Sequence, residues 1–140
     1  MKELYDMTLS LFEALFKLIG DKREWLHYSQ TFRASSSIVA NIAEGIGQER
    51  NRGNAAIRFS SARGSLFETV AWLDIAIVED LAPIESMIIL QEALKELGIE
   101  LATRILELDK GRYVKYQEEP VSKIDPQTER LIKSIIWHDE

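Results

Sequence analysis

The sequence predicts an all-α protein, an antiparallel up-down-up-down four-helix bundle with a short C-terminal extension. Apolar residues recur every three or four positions through four long segments of the 140-residue chain, which is the period of an amphipathic helix. Only short polar links join these segments, and short links favour antiparallel neighbours. The composition agrees, since 46% hydrophobic and 29% charged residues are ordinary for a globular domain.

The first predicted helix contains an apolar stripe that ends before Gly20, a residue typical of helix C-termini. Glu13 and Lys17 interrupt the stretch, so we expect an amphipathic helix and neither a signal peptide nor a membrane span. The second helix is predicted from about residue 26 to 46, and Gly45-Ile46-Gly47 is interpreted as its C-terminal cap. The stripe of the first helix comprises Leu4, Leu11, Leu15 and Leu18.

The third helix is predicted over about residues 53 to 80. Pro83 suits the first turn of the fourth helix, where its missing N–H has no helical partner. We therefore divide the chain into a bundle, residues 1–110, and an extension, residues 111–140, in which Asp125 and Pro126 could begin a short helix that runs to about Trp137. The fourth helix has a heptad-like seam of Met87, Leu90, Leu94, Leu97, Leu101, Ile105 and Leu108.

The second and third helices have more surface suited to burial than the core of a single four-helix bundle can cover. Residues 71–78 of the third helix are apolar nearly all round, and such a helix is normally buried on all sides. Opposite its apolar face, the second helix has a row of small residues that would let another helix come close. This surplus predicts a homo-oligomer. The small residues are Ser36, Ala40, Ala43 and Gly47.

Five polar residues of the second and third helices form the main candidate site. We expect a polar lock, in which Arg63 holds a carboxylate in bidentate geometry. The alternative is that Glu44 and Glu68 are catalytic or metal-binding carboxylates, but a di-metal site in a bundle needs Glu-x-x-His repeats, and neither His27 nor His138 lies in one. No catalytic residue, metal or cofactor is therefore predicted. The five residues are Asn41, Glu44, Arg63, Ser65 and Glu68.

Charge is distributed unevenly along the chain. The net charge is −6, with a positive balance over residues 1–64 and a strongly negative one beyond them. An acidic chain repels a phosphate backbone, so RNA or DNA could bind only at a local patch. The best candidate contact is the stretch QERNRG, residues 48–53, with Arg50, Arg52 and the nearby Arg58. The alternative interpretation is an ordinary solvated loop. No P-loop or dinucleotide-binding pattern accompanies the two glycines that precede it.

Two motifs carry a resemblance to a known family. SIVANIAEG at residues 37–45 and FSSARGSLFE at residues 59–68 resemble the four-helix-bundle proteins encoded within intervening sequences of bacterial 23S ribosomal RNA. The resemblance covers about residues 4–108, and Val39 stands where many members have proline. It implies a cytosolic, non-enzymatic bundle that assembles as a ring-like homopentamer. It also implies a distant likeness to accessory proteins of diversity-generating retroelements, which bind nucleic acid and a reverse transcriptase.

Two functions follow from these observations. The first is a non-enzymatic, homo-oligomeric interaction protein of the cytoplasm, with no membrane segment, no cofactor and a second copy of itself as its partner. The alternative is an RNA- or DNA-binding accessory factor that uses the basic link between the second and third helices.

Overall fold

The computed structural model of the chain describes residues 2–109 together with residues 126 and 127. It contains four helices, α1 (Lys2–Ile19), α2 (Tyr28–Gly47), α3 (Arg52–Val78) and α4 (Ile84–Leu108). No β-strand occurs among the described residues. The all-α prediction is confirmed, and the expected helix limits differ from the observed ones by only one or two residues.

The four helices form a closed bundle, in which each helix packs on the next and α4 packs back on α1. Glu44, near the end of α2, contacts Arg58, near the start of α3, and Ser37 contacts Ser65 further along. These two contacts pair α2 and α3 with opposite chain directions. The complete up-down-up-down order of the four helices stays a prediction.

The apolar stripes of the four helices meet in one core. Ile19, Ile42, Leu66 and Leu97 are fully buried there, one from each helix. Burying a side chain of this size stabilises a fold by about 1.5–3 kcal/mol. The α4 seam is buried from Met87 to Ile105, whereas Leu108 at its end is only partly buried.

Two helix ends show why the chain turns where it does. Asn51 is the N-cap of α3, and its side chain accepts a hydrogen bond from the backbone N–H of Asn54 at 3.2 Å. After α3, Asp80 has a left-handed backbone with φ of 57°. The backbone N–H of Asp80 donates to Ile77 O, and that of Leu81 donates to Ala76 O, which is the pattern of a Schellman cap.

Pro83 and Gly45 differ from their predicted roles. Pro83 is the N-cap of α4, with a non-helical ψ of 125°, so it precedes the first turn instead of lying within it. Gly45 lies inside α2, because the helix continues to Gly47 and its C-cap is Gln48. A Cβ at Gly45 would lie 2.6 Å from the Phe59 ring. This glycine therefore permits close packing of α2 on α3 and does not cap the helix.

The chain divides into two units, Met1–Lys110 and Gly111–Glu140. The predicted helix from about residue 126 to 137 lies outside the described residues except for Pro126 and Gln127, which are helical. Among the described residues, no helix is long and apolar enough to cross a membrane.

Candidate functional site

The seam between α2 and α3 carries a small hydrogen-bonded group at its centre. Ser37 Oγ lies 2.8 Å from Ser65 Oγ. Asn41 Nδ2 donates to the backbone O of Ser37 at 2.9 Å and to Ser37 Oγ at 3.1 Å. Ser37 Oγ accepts from Asn41, and either serine hydroxyl can donate in the contact between Ser37 and Ser65. Asn41 thus orients the hydroxyl that joins the two helices.

Glu44 and Arg58 continue the seam toward the α2–α3 link. Arg58 Nε lies 3.0 Å from Glu44 Oε2, and both side chains are about half exposed. Arg58 precedes Ser65 by seven residues, and Glu44 follows Ser37 by seven, so both contacts lie on one flank of each helix. An ion pair this exposed contributes only about 0.2–1 kcal/mol.

Aromatic side chains occupy the opposite end of the seam. His27 stacks on Trp72, with ring centroids 5.0 Å apart and an interplanar angle of 25°. Trp25 meets His27 edge-on and donates its indole N–H to Glu79 at 2.7 Å. Glu68 accepts the indole N–H of Trp72 at 3.3 Å. Trp25 and Trp72 therefore pack against the bundle.

The structure does not bring the five residues of the expected polar lock together. Asn41 and Ser65 meet only through Ser37, and Glu44 pairs with Arg58. Arg63 is exposed and lies over the Phe67 ring, 5.1 Å from its centroid.

The position of Arg63 on α3 explains this correction. Arg63 and Ser65 are two residues apart, which separates them by about 200° around the helix axis, so they cannot face the same neighbour. Within residues 2–109, Arg63 forms no ion pair with Glu44 or Glu68. The predicted lock centred on Arg63 is therefore wrong for this chain, because Arg58, and not Arg63, forms the ion pair with Glu44.

The three arginines of the candidate nucleic-acid contact lie in different surroundings. Arg50 is exposed in the link between α2 and α3. Arg52 donates from Nη2 to Glu107 O at 2.6 Å and from Nε to Leu108 O at 3.3 Å. Arg52 therefore caps the C-terminus of α4, where a cation is favourable.

Gln91 is a polar contact that the sequence analysis missed. It is 7% exposed and lies within the apolar seam of α4. Its Nε2 donates to Asp74 Oδ1 at 2.7 Å and to Val70 O at 3.2 Å. A glutamine among leucines and isoleucines at core spacing was the signal that could have revealed this link between α3 and α4.

A shallow pocket of about 310 Å³ opens where α3 begins and α4 ends. Ala55, Phe59 and Leu108 line its apolar part, and two arginines and two glutamates line the rest. Among the described residues, no group of three or more His, Asp or Glu side chains is placed to hold a metal ion. The charged lining residues are Glu49, Arg52, Arg104 and Glu107.

Residues 1–103 match the family model described as 23S rRNA-intervening sequence protein. The chain belongs to this family. The matched region contains both motif segments, residues 37–45 and 59–68, and therefore the whole α2–α3 seam. No curated protein sequence matches the chain. Membership in the 23S rRNA-intervening sequence protein family confirms the predicted resemblance and agrees with the four helices.

Proposed function

We propose that this member of the 23S rRNA-intervening sequence protein family is a non-catalytic bundle that acts by binding further copies of itself. The observation that carries the proposal is the amount of large apolar side chain on its outer faces. Scattered exposed apolar residues are normal, but contiguous patches mark interaction sites. The exposed large apolar residues are Leu9, Phe16, Leu26, Ile57, Phe67, Val78, Ile84, Ile88, Ile89, Ile99 and Leu106.

Two further features support self-association. The row of small residues on α2 is exposed, so another helix can approach its backbone. The resemblance to ring-forming bundles sets the expected subunit count at five and the expected location in the cytoplasm. A homopentamer contains five copies of every outer face, so a contact that is weak in one copy can be made by all five at once.

Sedimentation equilibrium across micromolar concentrations tests the proposal. We expect a mass close to five times the 16.0 kDa chain. A mass that stays at one chain across this range would overturn it. Nuclease treatment before the run separates protein–protein contacts from bridging by nucleic acid.

The absence of catalysis is part of the proposal. Glu44 pairs with Arg58, and Glu68 accepts a hydrogen bond from Trp72, so both carboxylates have structural partners. Glu44→Gln and Glu68→Gln should alter stability or assembly only. A reproducible hydrolytic activity that either variant loses while it stays folded would contradict this part.

RNA or DNA binding through the α2–α3 link is the second candidate function. Its support is Arg50, which is exposed there, whereas Arg52 and Arg58 already have contacts within the chain. Phosphate contacts release counterions, so binding should weaken steeply as salt rises. Loss of such binding in Arg50→Ala with normal melting would favour this candidate, and salt-independent or undetectable binding would exclude it.

A further inference from the structure

The turn between α3 and α4 is bordered by three exposed apolar side chains. Val78, at the end of α3, is 85% exposed, and Ile84 and Ile88, at the start of α4, are 54% and 45% exposed. Ile84 and Ile88 are four residues apart, so they are neighbours on the surface of α4. Apolar side chains that cluster on a surface, especially with polar residues around them, mark interaction sites.

A hydrogen bond between the two helices shows where these side chains lie. Asp74 of α3 accepts a hydrogen bond from Gln91 of α4 at 2.7 Å, so α3 and α4 fold back on each other across the turn. Val78 lies four residues beyond Asp74, and Ile84 lies seven residues before Gln91. Residues at these spacings share a flank of a helix. The apolar side chains therefore border the groove between α3 and α4, on the side of this contact that is nearer the turn.

Acidic side chains occupy the neighbouring positions. Asp74 precedes Val78 by four residues. On α4, Glu85 precedes Ile88 by three residues and Glu92 follows it by four, and such residues are neighbours on a helix surface. All three carboxylate side chains are exposed. We call these apolar and acidic residues together the turn patch; they are Asp74, Val78, Ile84, Glu85, Ile88 and Glu92.

The stretch of sequence that forms the turn patch has no basic residue. Residues 64–94 include six Asp and Glu residues and no Lys or Arg. Lys95 is the first cation beyond this stretch, and its Nζ lies 3.4 Å from Glu92 Oε1 at the edge of the patch. The turn patch therefore keeps a net negative charge that is carried by its own residues.

The cations of the α1–α2 link face a different flank of α3. This link, residues 20–27, contains two basic and two acidic residues. It contacts α3 through His27, which stacks on Trp72, and through Trp25, which donates to Glu79. Val78 is about 100–120° from Trp72 and Glu79 around the helix axis. The link therefore does not neutralise the turn patch.

The combination of apolar and acidic side chains restricts what can cover the turn patch. RNA, DNA and an anionic membrane surface carry negative charge, so the patch repels them. A second turn patch would bring like charges together, which costs free energy. The suitable occupant buries apolar side chains and carries cations beside them. A groove between two helices accepts an amphipathic helix of this kind.

We propose that the turn patch binds a basic amphipathic helix of a different protein. Apolar side chains of that helix pack on Val78, Ile84 and Ile88, and its lysines or arginines lie beside Asp74 and the two glutamates. This inference goes beyond the proposed self-association, because it assigns these apolar side chains to another partner.

A synthetic helix made only of leucine and lysine is the probe, with its leucines at helical spacing on one face. Fluorescence anisotropy of the labelled peptide measures binding to the full chain, and we expect saturable binding with one peptide per chain. The control peptide has the same composition in scrambled order, so it keeps the charge but has no apolar face. It should bind at least about tenfold more weakly, because burying one leucine is worth about that factor.

Substitutions in the apolar part of the patch test its location. Ile88→Arg should weaken binding of the leucine–lysine helix by at least about tenfold, since it removes apolar contact and adds a like charge. The matched control is Ile89→Arg, which makes the same change at a residue that is 70% exposed and about 100° further around α4. Ile89→Arg should bind the peptide like the wild type.

A reversal of charge tests the acidic part of the patch. The double variant Glu85→Lys with Glu92→Lys should lose binding of the leucine–lysine helix and gain binding of a leucine–glutamate helix of the same pattern. The control double variant, Glu3→Lys with Glu107→Lys, makes the same change of net charge at exposed residues outside the patch. It should keep the preference of the wild type.

Three outcomes would overturn the inference. Equal binding of the ordered and scrambled peptides would show only general attraction to a chain of net charge −6. Equal losses in Ile88→Arg and Ile89→Arg would place the contact elsewhere. If Ile88→Arg lowers the sedimenting mass, the patch belongs to a contact between copies, and the proposed self-association still stands. A wild type that stays monomeric but binds the ordered helix at the patch would contradict the self-association and support this inference. Thermal melts verify that each variant is folded.

Discussion

The flank of α3 on which a residue lies determines which residues it contacts. Arg58, Ser65 and Trp72 recur every seven residues and meet α2 or the link before it. Arg63 is two positions from Ser65 and faces away. The sequence placed Arg58, Ser65 and Trp72 on one side of the helix, so helical spacing could have selected Arg58 over Arg63. Arg63 lies within the motif FSSARGSLFE, but membership in a motif does not show which flank of the helix a residue occupies.

Arg63→Ala should cost at most about 1 kcal/mol of unfolding free energy, the size of an exposed cation–π contact. Chemical denaturation measures this cost. A buried ionic lock would instead lose about 3–5 kcal/mol when one partner is removed. A loss of that size would mean that Arg63 pairs with a carboxylate after all.

Ser37 and Ser65 should be energetically coupled, because their hydroxyls are 2.8 Å apart in a half-buried seam. A double-mutant cycle with Ser37→Ala and Ser65→Ala should give a coupling of about 0.5–1.5 kcal/mol. The control cycle pairs Ser37→Ala with Ser61→Ala, an exposed serine one turn earlier on α3. Equal coupling in both cycles would show that the hydrogen bond contributes nothing specific.

Gly45→Ala should destabilise the bundle by about 1–3 kcal/mol through overpacking against Phe59. Gly64→Ala is the matched control, because Gly64 lies in a helix where an added Cβ meets nothing within 4 Å. There the better helix propensity of alanine should stabilise the protein by about 0.5–1 kcal/mol. Thermal melts that shift in the same direction for both variants would contradict the close α2–α3 approach.

At the scale of the helices, periodicity located the four helices of residues 2–109, because each buries an apolar stripe. The roles of residues near the helix ends were harder to predict. Glycine is typical of helix C-termini, yet the role of Gly45 depends on its close contact with the ring of Phe59, fourteen residues further along the chain. Arg52 resembled a solvent-facing loop charge, yet it reaches carbonyls of α4 more than fifty residues further along. The residues next to Gly45 and Arg52 in the sequence do not indicate these distant partners.

Arg52→Ala should therefore destabilise the protein, by about 0.5–1.5 kcal/mol, since α4 loses two hydrogen bonds and a cation at its C-terminus. Arg50→Ala should change stability by no more than about 0.5 kcal/mol, as exposed substitutions usually do. Denaturation measures both values, and amide exchange should show faster opening in the last turn of α4 only for Arg52→Ala. Identical behaviour of the two variants would remove Arg52 from the cap.

At the scale of the whole molecule, the surplus apolar surface was visible in the sequence, but its position was not. Residues 71–78 predicted a third helix buried on all sides, whereas the largest aligned apolar exposure lies on α4. The α4 seam is buried as predicted from Met87 to Ile105. Three other apolar residues of α4, Ile88, Ile99 and Leu106, are exposed, and the heptad pattern of the seam does not include them. Only the packing of the bundle shows which apolar residues remain outside.

Native mass spectrometry of the nuclease-treated chain tests the central claim, self-association through protein surfaces, most directly. The method counts subunits without assuming a shape. At micromolar concentration we expect a dominant species of five 16.0 kDa chains that carries no bound nucleic acid. A spectrum that contains only the single chain, from a sample that melts cooperatively, would contradict the claim.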